Sequence, residues 1–305
     1  MASDFYSQIS SNKWKSYMLF VVFTLFILVL AFVFGLGFTN SLYGAIPFLV
    51  IAFIFSIIYI LIAYYTGDSI LLATVKAKPI TRKEDPYYYN TVEGLSIAAG
   101  VPMPKIYMIK EESINAFATG RDPQHASITI TSGARKKLSR QELEGVIAHE
   151  ISHIKNFDVR TMLLAAVLVG VIVLLSDIMF RAFLWSGGRR DNDRGSGNLG
   201  ILFVLIAIVL AILAPIIAQL IKLAISRKRE YLADANGALL TRYPPGLANA
   251  LKKIKNDNDK VVDTANKGMA HLWIENPLRN KQSWLNNLFS THPPIDERIK
   301  RLEAM

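Results

Sequence analysis

Two long uncharged stretches near the start of the chain constrain its fold more than any other feature. Residues 16–38 and residues 43–66 contain no Asp, Glu, Lys or Arg. About 20 residues of α-helix cross the roughly 30 Å apolar core of a bilayer. Each stretch is therefore long enough to span a membrane as a helix. Because only residues 39–42 separate them, the sequence predicts a transmembrane hairpin.

Two further apolar stretches occur at 162–185 and 199–225. The first of them contains Asp177 and Arg181, so we expect its outer part to be solvated or buried in protein. A Gly-, Asp- and Arg-rich segment, 186–198, separates the two and is typical of a flexible loop. With 52% apolar residues and a mean hydropathy of +0.31, the chain resembles a membrane protein with a substantial polar part.

Lysine and arginine positions predict the orientation in the membrane. Thirteen lie between Lys76 and Arg160, and many follow Arg227, whereas the first loop has none. The positive-inside rule places both termini and the two large polar segments in the cytoplasm, at an inner or plasma membrane. The arginines of the 186–198 loop run against this orientation. The lysines and arginines gathered on the cytoplasmic side also explain the net charge of +10. Because no basic, aromatic-rich module is present, we expect no nucleic-acid partner.

The four stretches divide the chain into alternating membrane and polar parts. We expect a first transmembrane hairpin at 1–66 and a second at 162–225. The polar parts, 67–161 and 226–305, would combine into one cytoplasmic domain. Runs at 105–109, 113–118 and 126–131 are typical of strands. Ser139 and Glu142 form a capping-box pattern that predicts the start of a helix. The predicted fold is an α-helical membrane protein with four transmembrane helices and a cytoplasmic α+β domain.

That predicted helix contains an H-E-x-x-H motif, His149-Glu-Ile-Ser-His153. Residues four apart lie on one face of a helix, so both imidazoles would point at one place, as two ligands of a zinc ion must. Glu150 could reach a water molecule there and act as a general base. Since the chain has no cysteine, a zinc site must use His and carboxylate ligands.

A catalytic zinc site normally has a third protein ligand. The residues after His153 do not have the H-x-x-G-x-x-H pattern, which rules out a third His just downstream. Glu230 and Asp234, directly after the fourth apolar stretch, have E-x-x-x-D spacing. Glu230 can complete the zinc site, and Asp234, one helical turn later, can hydrogen-bond a ligating imidazole. The alternative is a solvated acidic pair on an exposed helix.

Taken together, the motifs resemble the HtpX family of membrane-bound zinc metalloproteases, relatives of the CAAX prenyl endopeptidases. The matching segments are Asn115-Ala-Phe-Ala-Thr-Gly120, the H-E-x-x-H motif, Glu230-Tyr-Leu-Ala-Asp234, and Thr291-His-Pro-Pro294 with Arg298. Their order and the four-span layout match too, so the resemblance covers nearly the whole chain. It implies a zincin-like domain of the Glu-zincin type, with one zinc ion per chain bound by His149, His153 and Glu230.

The resemblance also implies roles for three further residues. Asn115, in an edge strand, would hold the substrate backbone, or it is a turn residue. His292 would stabilise the oxyanion, or it is a surface residue before a helix that starts at proline. Arg298 would pair with a carboxylate near the site, or it is solvated. His125 and His271 have no ligand spacing, and we expect them to be structural.

The predicted function is a zinc endopeptidase that hydrolyses misfolded or damaged membrane proteins at the cytoplasmic face, as part of stress-related quality control. The expected partners are polypeptide substrates and the lipid bilayer. Two alternatives stay open: a non-proteolytic zinc-binding scaffold and a prenyl-protein endopeptidase. A structural zinc site needs four ligands, and no fourth has obvious spacing.

Overall fold

Two long helices, α1 (Phe5–Thr39) and α2 (Leu42–Thr74), form a hairpin at the start of the chain. The computed structural model describes residues 5–168, 170–171, 181, 227–258, 272–275 and 293–305. In the turn, Asn40 has a φ of 50°, and the Ser41 side chain caps α2 by accepting from the Gly44 N–H. Both helices extend beyond the predicted spans because their polar end turns continue the same hydrogen-bond pattern.

The hairpin has the length and composition of membrane helices. Segments Ser10–Thr39 and Leu42–Thr74 are both apolar enough to cross a bilayer. Large apolar side chains on them point outward, among them Leu25, Ile51 and Phe53, each at least half exposed. A continuous apolar surface of this kind is unfavourable in water and suits contact with lipid. Of the third predicted span the structure describes 162–168, 170–171 and 181. The fourth span, 199–225, and the loop at 186–198 lie outside the described residues.

A four-stranded sheet follows the hairpin, with strand order β1-β2-β4-β3. The strands are β1 (Lys78–Pro79), β2 (Lys105–Ile109), β3 (Ala116–Gly120) and β4 (Ala126–Thr131). Strand β4 pairs with β2 in parallel and with β3 in antiparallel orientation. Because β3 is last in the strand order, it lies at an edge of the sheet. The predicted strands at 105–109 and 126–131 are confirmed.

Strand β3 begins three residues later than its predicted start at 113. The reason is the Thr131 side chain at the end of β4. Its hydroxyl donates to the Ser113 carbonyl at 2.6 Å and accepts from the Asn115 N–H at 3.0 Å. These side-chain bonds stand beside the backbone bond from the Thr131 N–H to the Asn115 carbonyl, and the regular ladder begins only at Ala116.

Helices pack against both faces of this sheet. The described helices after the hairpin are α3 (Pro86–Ala99), α4 (Ser132–Lys137), α5 (Arg140–Lys155), α6 (residues 158–168), α7 (Arg227–Thr241), α8 (Pro244–Asn256) and α9 (Ile295–Glu303). Ile128 and Ile130 pack with α5, α8 and α9 in one core. Ile109 and Phe117, on the opposite sheet face, pack with α1, α2 and α6 in another. The sheet therefore lies between α5, α8 and α9 on one face and the hairpin with α6 on the other.

Candidate active site

Helix α5 positions the H-E-x-x-H motif, as predicted. Ser139 accepts from the Glu142 N–H and Glu142 accepts from the Ser139 N–H, which completes the capping box. His149 and His153 are both buried, and their Nε2 atoms are 3.1 Å apart. The helix therefore aims both imidazoles at one point.

Helix α7 brings Glu230 to the same point. Its carboxylate oxygens lie 3.5 Å from Nε2 of His153 and 3.9 Å from Nε2 of His149. The two helices approach closely because Gly237 of α7 has no side chain; a Cβ there would lie 3.0 Å from the His149 backbone nitrogen. One ligand atom from each of the three residues lies within 4.8 Å of the other two.

The three donor atoms fit a metal ion of the zinc type. A tetrahedral ion with bonds of about 2.0–2.1 Å keeps its ligand atoms about 3.3 Å apart, close to the observed spacings. Both Nδ1 atoms face carboxylates: that of His149 lies 3.0 Å from Asp234, and that of His153 lies 3.1 Å from Asp158. With a metal bound, each Nδ1 would carry the proton and face its carboxylate, and both Nε2 lone pairs would converge on the cation.

Burial and neighbouring charge shift the two histidines in opposite directions. Burial disfavours the charged imidazole and lowers the pKa of His149 to about 4, against the opposing effect of Asp234. Burial acts on His153 in the same direction. There, however, the hydrogen bond to Asp158 and the charge of Glu230 outweigh it and raise the pKa to about 9. Without a metal, the site therefore keeps one positive charge as a proton on His153.

Glu150 lies next to this centre and is 2% exposed. Its Oε2 has no hydrogen-bond partner among the described residues. Burial raises its pKa to about 7; His153 lowers it, Glu230 raises it, and a backbone hydrogen bond from Ala118 lowers it again. A carboxyl group with a pKa near neutrality is suited to accept and return a proton.

Asp234 and Arg298 form a buried ion pair behind His149. The guanidinium donates from Nε and Nη2 to the two carboxylate oxygens at 2.9 and 2.7 Å, and Arg298 is fully buried. Its Nη1 also donates to the Ile274 carbonyl at 3.0 Å. Burial opposes ionisation of Asp234, but the charge of Arg298 and the contact with His149 hold its pKa at about 2. Arg298 is therefore paired and not solvated.

Asp158 is a residue that the sequence did not single out. It follows the turn after α5, and besides His153 it binds Asn12 and Arg229. Its position five residues after His153, across a helix break, has no helical spacing that would mark it. The signal that the sequence offers is an acidic residue close to the motif.

Asn115 lies directly before edge strand β3, but its side chain already has partners. Its Nδ2 donates to the Glu275 carbonyl, and its Oδ1 accepts from the Ala116 N–H, both at 3.0 Å. The neighbouring Ala116 carbonyl accepts from the Ile274 N–H at 2.9 Å. Segment 272–275 thus binds one end of this edge and leaves the rest of β3 next to α5.

Of the three remaining histidines, the structure describes His125. His292 and His271 lie outside the described residues. His125 is half exposed and pairs with Asp122 at 2.7 Å, away from the His149 and His153 pair.

Comparison with known proteins identifies the family to which this site belongs. The profile of peptidase family M48 matches residues 82–305, which include every residue of the cluster. The chain belongs to peptidase family M48. Within it the chain belongs to the HtpX family, because HtpX homologues are similar to it over nearly their whole lengths. The homologue of Dictyoglomus thermophilum is 47% identical over 99% of this chain and 95% of its own length. Those of Tropheryma whipplei and Lactobacillus helveticus are both 41% identical over 98% of this chain and 98% and 99% of their own lengths.

As a member of this family, the chain is a membrane metallopeptidase that acts on peptide bonds of polypeptides. The predicted family is thereby confirmed. Among solved structures, the crystal structure of S. mikatae Ste24p is 22% identical with a TM-score of 0.47. The match covers 97% of this chain and 66% of that chain, so this protein spans about two thirds of its length.

Proposed function

We propose that this HtpX protease is a zinc endopeptidase that hydrolyses misfolded or damaged membrane proteins at the cytoplasmic face of the membrane. The observation that carries the proposal is the convergence of three buried ligand atoms from two helices, with each imidazole oriented by its own carboxylate. His149, His153 and Glu230 would hold one zinc ion. When bound, zinc polarises the scissile carbonyl and makes the attacking water more acidic.

Glu150 would carry the proton during the reaction. It follows His149 directly on α5, and its unpaired, buried Oε2 is available to accept a proton from the attacking water. The same carboxyl group would then pass that proton to the leaving amine. Asp234 and Asp158 would keep the two imidazoles in the Nδ1–H form, and Arg298 would keep Asp234 ionised.

Substrate would bind by extending the sheet at β3. The Ala116 carbonyl points away from β4, since it accepts from Ile274. Backbone groups alternate along an antiparallel strand, so those of Ala118 face outward as well. A peptide in extended form could pair with the outward carbonyl of Ala118, whose N–H already donates to Glu150. Asn115 would then shape the end of this groove, and His292 would donate to the oxyanion.

The test compares purified wild type with Glu150→Gln, both loaded with zinc, on unfolded casein. We expect wild type to cut casein and a chelator to stop it. The mutant should bind one zinc ion and be at least about 10²-fold slower, because general-base catalysis is lost. Equal rates would refute the role of Glu150. Cleavage of a prenylated peptide alone would favour the prenyl endopeptidase, and zinc binding without cleavage of either substrate would favour a scaffold.

We further propose the four-span topology, with spans at 16–38, 43–66, 162–185 and 199–225 and both termini cytoplasmic. Support comes from the lysine and arginine distribution and from the packing of α5 on α7 and α8 within one core. In one domain, segments 67–161 and 226–305 would lie on the same side of the membrane.

The absence of cysteine allows a direct test of this topology. Leu42→Cys, in the first loop, should react with a membrane-impermeant maleimide in intact cells. Lys83→Cys should react only after the membrane is permeabilised. The reverse pattern would invert the proposed orientation.

A further inference from the structure

The first membrane helix carries a buried asparagine that contacts Asp158, behind the predicted metal site. Asn12 lies on α1 one turn before the apolar stretch begins, and it is 2% exposed. Its Nδ2 donates to Oδ1 of Asp158 at 2.8 Å and to the Asn156 carbonyl at 2.9 Å. Its Oδ1 accepts from Arg229 at 3.0 Å. One side chain of α1 thus binds both the turn after α5 and the start of α7.

Asp158 extends this contact to a predicted metal ligand. Its Oδ2 lies 3.1 Å from Nδ1 of His153. Its Oδ1 accepts from both Asn12 and Arg229, the latter at 3.0 Å. Two donors from different helices therefore fix the carboxylate that orients the imidazole. Because a buried carboxylate without donors is costly, these contacts hold Asp158 in one position.

The turn directly before Asp158 has a strained backbone. Phe157 has a φ of 59°, which is a rare conformation for a bulky side chain. Such conformations persist only where the surroundings hold them, and they cluster at functional sites. Here α1 supplies the contacts: Asn12 binds the Asn156 carbonyl, and the Lys13 ammonium lies 5.4 Å from the centre of the Phe157 ring.

We propose that α1 positions the metal ligand His153, with Asn12 as a positioning residue that acts through Asp158. This inference rests on the proposed zinc site. It adds that a membrane helix outside both protease segments helps to support that site. Loss of a direct outer partner of a zinc ligand typically weakens metal binding 10- to 100-fold. Asn12 acts one step further out, so we expect a smaller effect, about three- to tenfold.

The experiment measures the zinc dissociation constant of the full-length protein in detergent by competition with a chromogenic chelator. Asn12→Leu removes the amide at similar volume, and Asp158→Asn weakens the next link. Ser16→Ala is the matched control for packing between α1 and α6: Ser16 is buried on the same helix, and its hydroxyl donates to the Asn12 carbonyl and lies 3.4 Å from the Thr161 hydroxyl. We expect weaker binding in Asn12→Leu and wild-type binding in Ser16→Ala.

The double variant tests whether Asn12 acts through Asp158. If it does, Asn12→Leu with Asp158→Asn should bind zinc no more weakly than Asp158→Asn alone. The visible spectrum of bound Co²⁺ should also change in Asn12→Leu, since the geometry at His153 changes, and should stay the same in Ser16→Ala. If Asn12→Leu does not fold, Asn12→Ala replaces it in the experiment, since the smaller side chain leaves room for water at Asp158.

The outcomes separate this inference from the proposed function. Wild-type affinity and spectrum in Asn12→Leu would overturn the positioning role while leaving the zinc site intact. Equal weakening by Asn12→Leu and Ser16→Ala would also overturn it, because the cause would then be helix packing. By contrast, wild-type zinc affinity in Glu230→Gln would refute the metal site itself.

Discussion

At the scale of single residues, the site is a set of histidines each paired with an acid. Asp234 contacts His149 and Asp158 contacts His153, and each acid is fixed by an arginine. Four buried carboxylates, including Glu150 and Glu230, stand against two guanidinium groups among the described residues. A bound cation can take the place of the proton that the metal-free site holds on His153.

Removal of Arg298 should destabilise the protein strongly. In Arg298→Met, Asp234 would remain buried without its partner, which typically costs about 3–5 kcal/mol. The free energy of unfolding, measured with urea in detergent, reports this loss. Lys300→Met, at an exposed position on the same helix α9, should change it by less than about 0.5 kcal/mol. Similar values for both variants would mean that the ion pair contributes little.

The metal-free protein should lose stability as pH rises from 6.5 to 9. In that window the folded state keeps a proton on His153, whose pKa is raised to about 9, while the unfolded state releases it. The raised pKa of Glu150, about 7, acts in the same direction at the lower end. The lowered pKa of His149, about 4, acts only below pH 6.5, where stability rises with pH.

Thermal unfolding of chelated protein between pH 6.5 and 9 tests this expectation. In His153→Gln the decrease should be smaller, because the main titrating group is gone. A melting temperature that rises over this range in wild type would contradict the expected protonation of His153.

At the scale of elements, close helix packing brings the ligands together. Helix α5 contacts α7 through Gly237 and α8 through Gly145, where a Cβ would lie 2.6 Å from the Leu247 backbone nitrogen. No rotamer change can relieve a clash with backbone, so the helices would have to move apart. Small residues on α5 and α7 therefore set the distance between His149 and Glu230.

Gly145→Ala should therefore cost about 1–3 kcal/mol of stability, as overpacking of a tight contact does. Gly94→Ala is the matched control, since Gly94 lies inside helix α3 with no atom within 4 Å of an added Cβ. There, alanine should stabilise by about 0.5–1 kcal/mol, because it restricts the unfolded chain. Urea unfolding compares the two. Stabilisation by both substitutions would show that α5 and α8 have room to separate.

At the scale of the whole molecule, the metal would join two distant parts of the chain. His149 and His153 come from segment 67–161 and Glu230 from segment 226–305, so bound zinc adds a cross-link to their shared core. A ligand that binds only the folded state stabilises it by about 2.7 kcal/mol at 100 times its dissociation constant.

Zinc should accordingly raise the melting temperature of the chelated wild type in detergent. The rise should be much smaller in Glu230→Gln, which lacks the ligand from the second segment. If zinc shifted wild type and variant equally, its stabilising site would lie elsewhere.

The sequence alone determined the features that depend on local spacing. Charge-free length predicted the hairpin α1–α2, the Ser139 and Glu142 pattern predicted the start of α5, and four-residue spacing predicted that His149 and His153 share a face. The pairing of Glu230 and Asp234 with those histidines was also foreseen, because one helical turn separates the two acids.

Tertiary structure decided what depends on contacts between distant segments. Asp158, Asn12 and Arg229 meet only because α1, α6 and α7 converge, and no periodicity marks such a meeting. The sequence allowed two states for Arg298, paired with a carboxylate or solvated, and its burial beside Asp234 shows that it is paired. The Thr131 hydroxyl moved the start of β3. Local spacing sets which face a side chain occupies, whereas packing sets what that face meets.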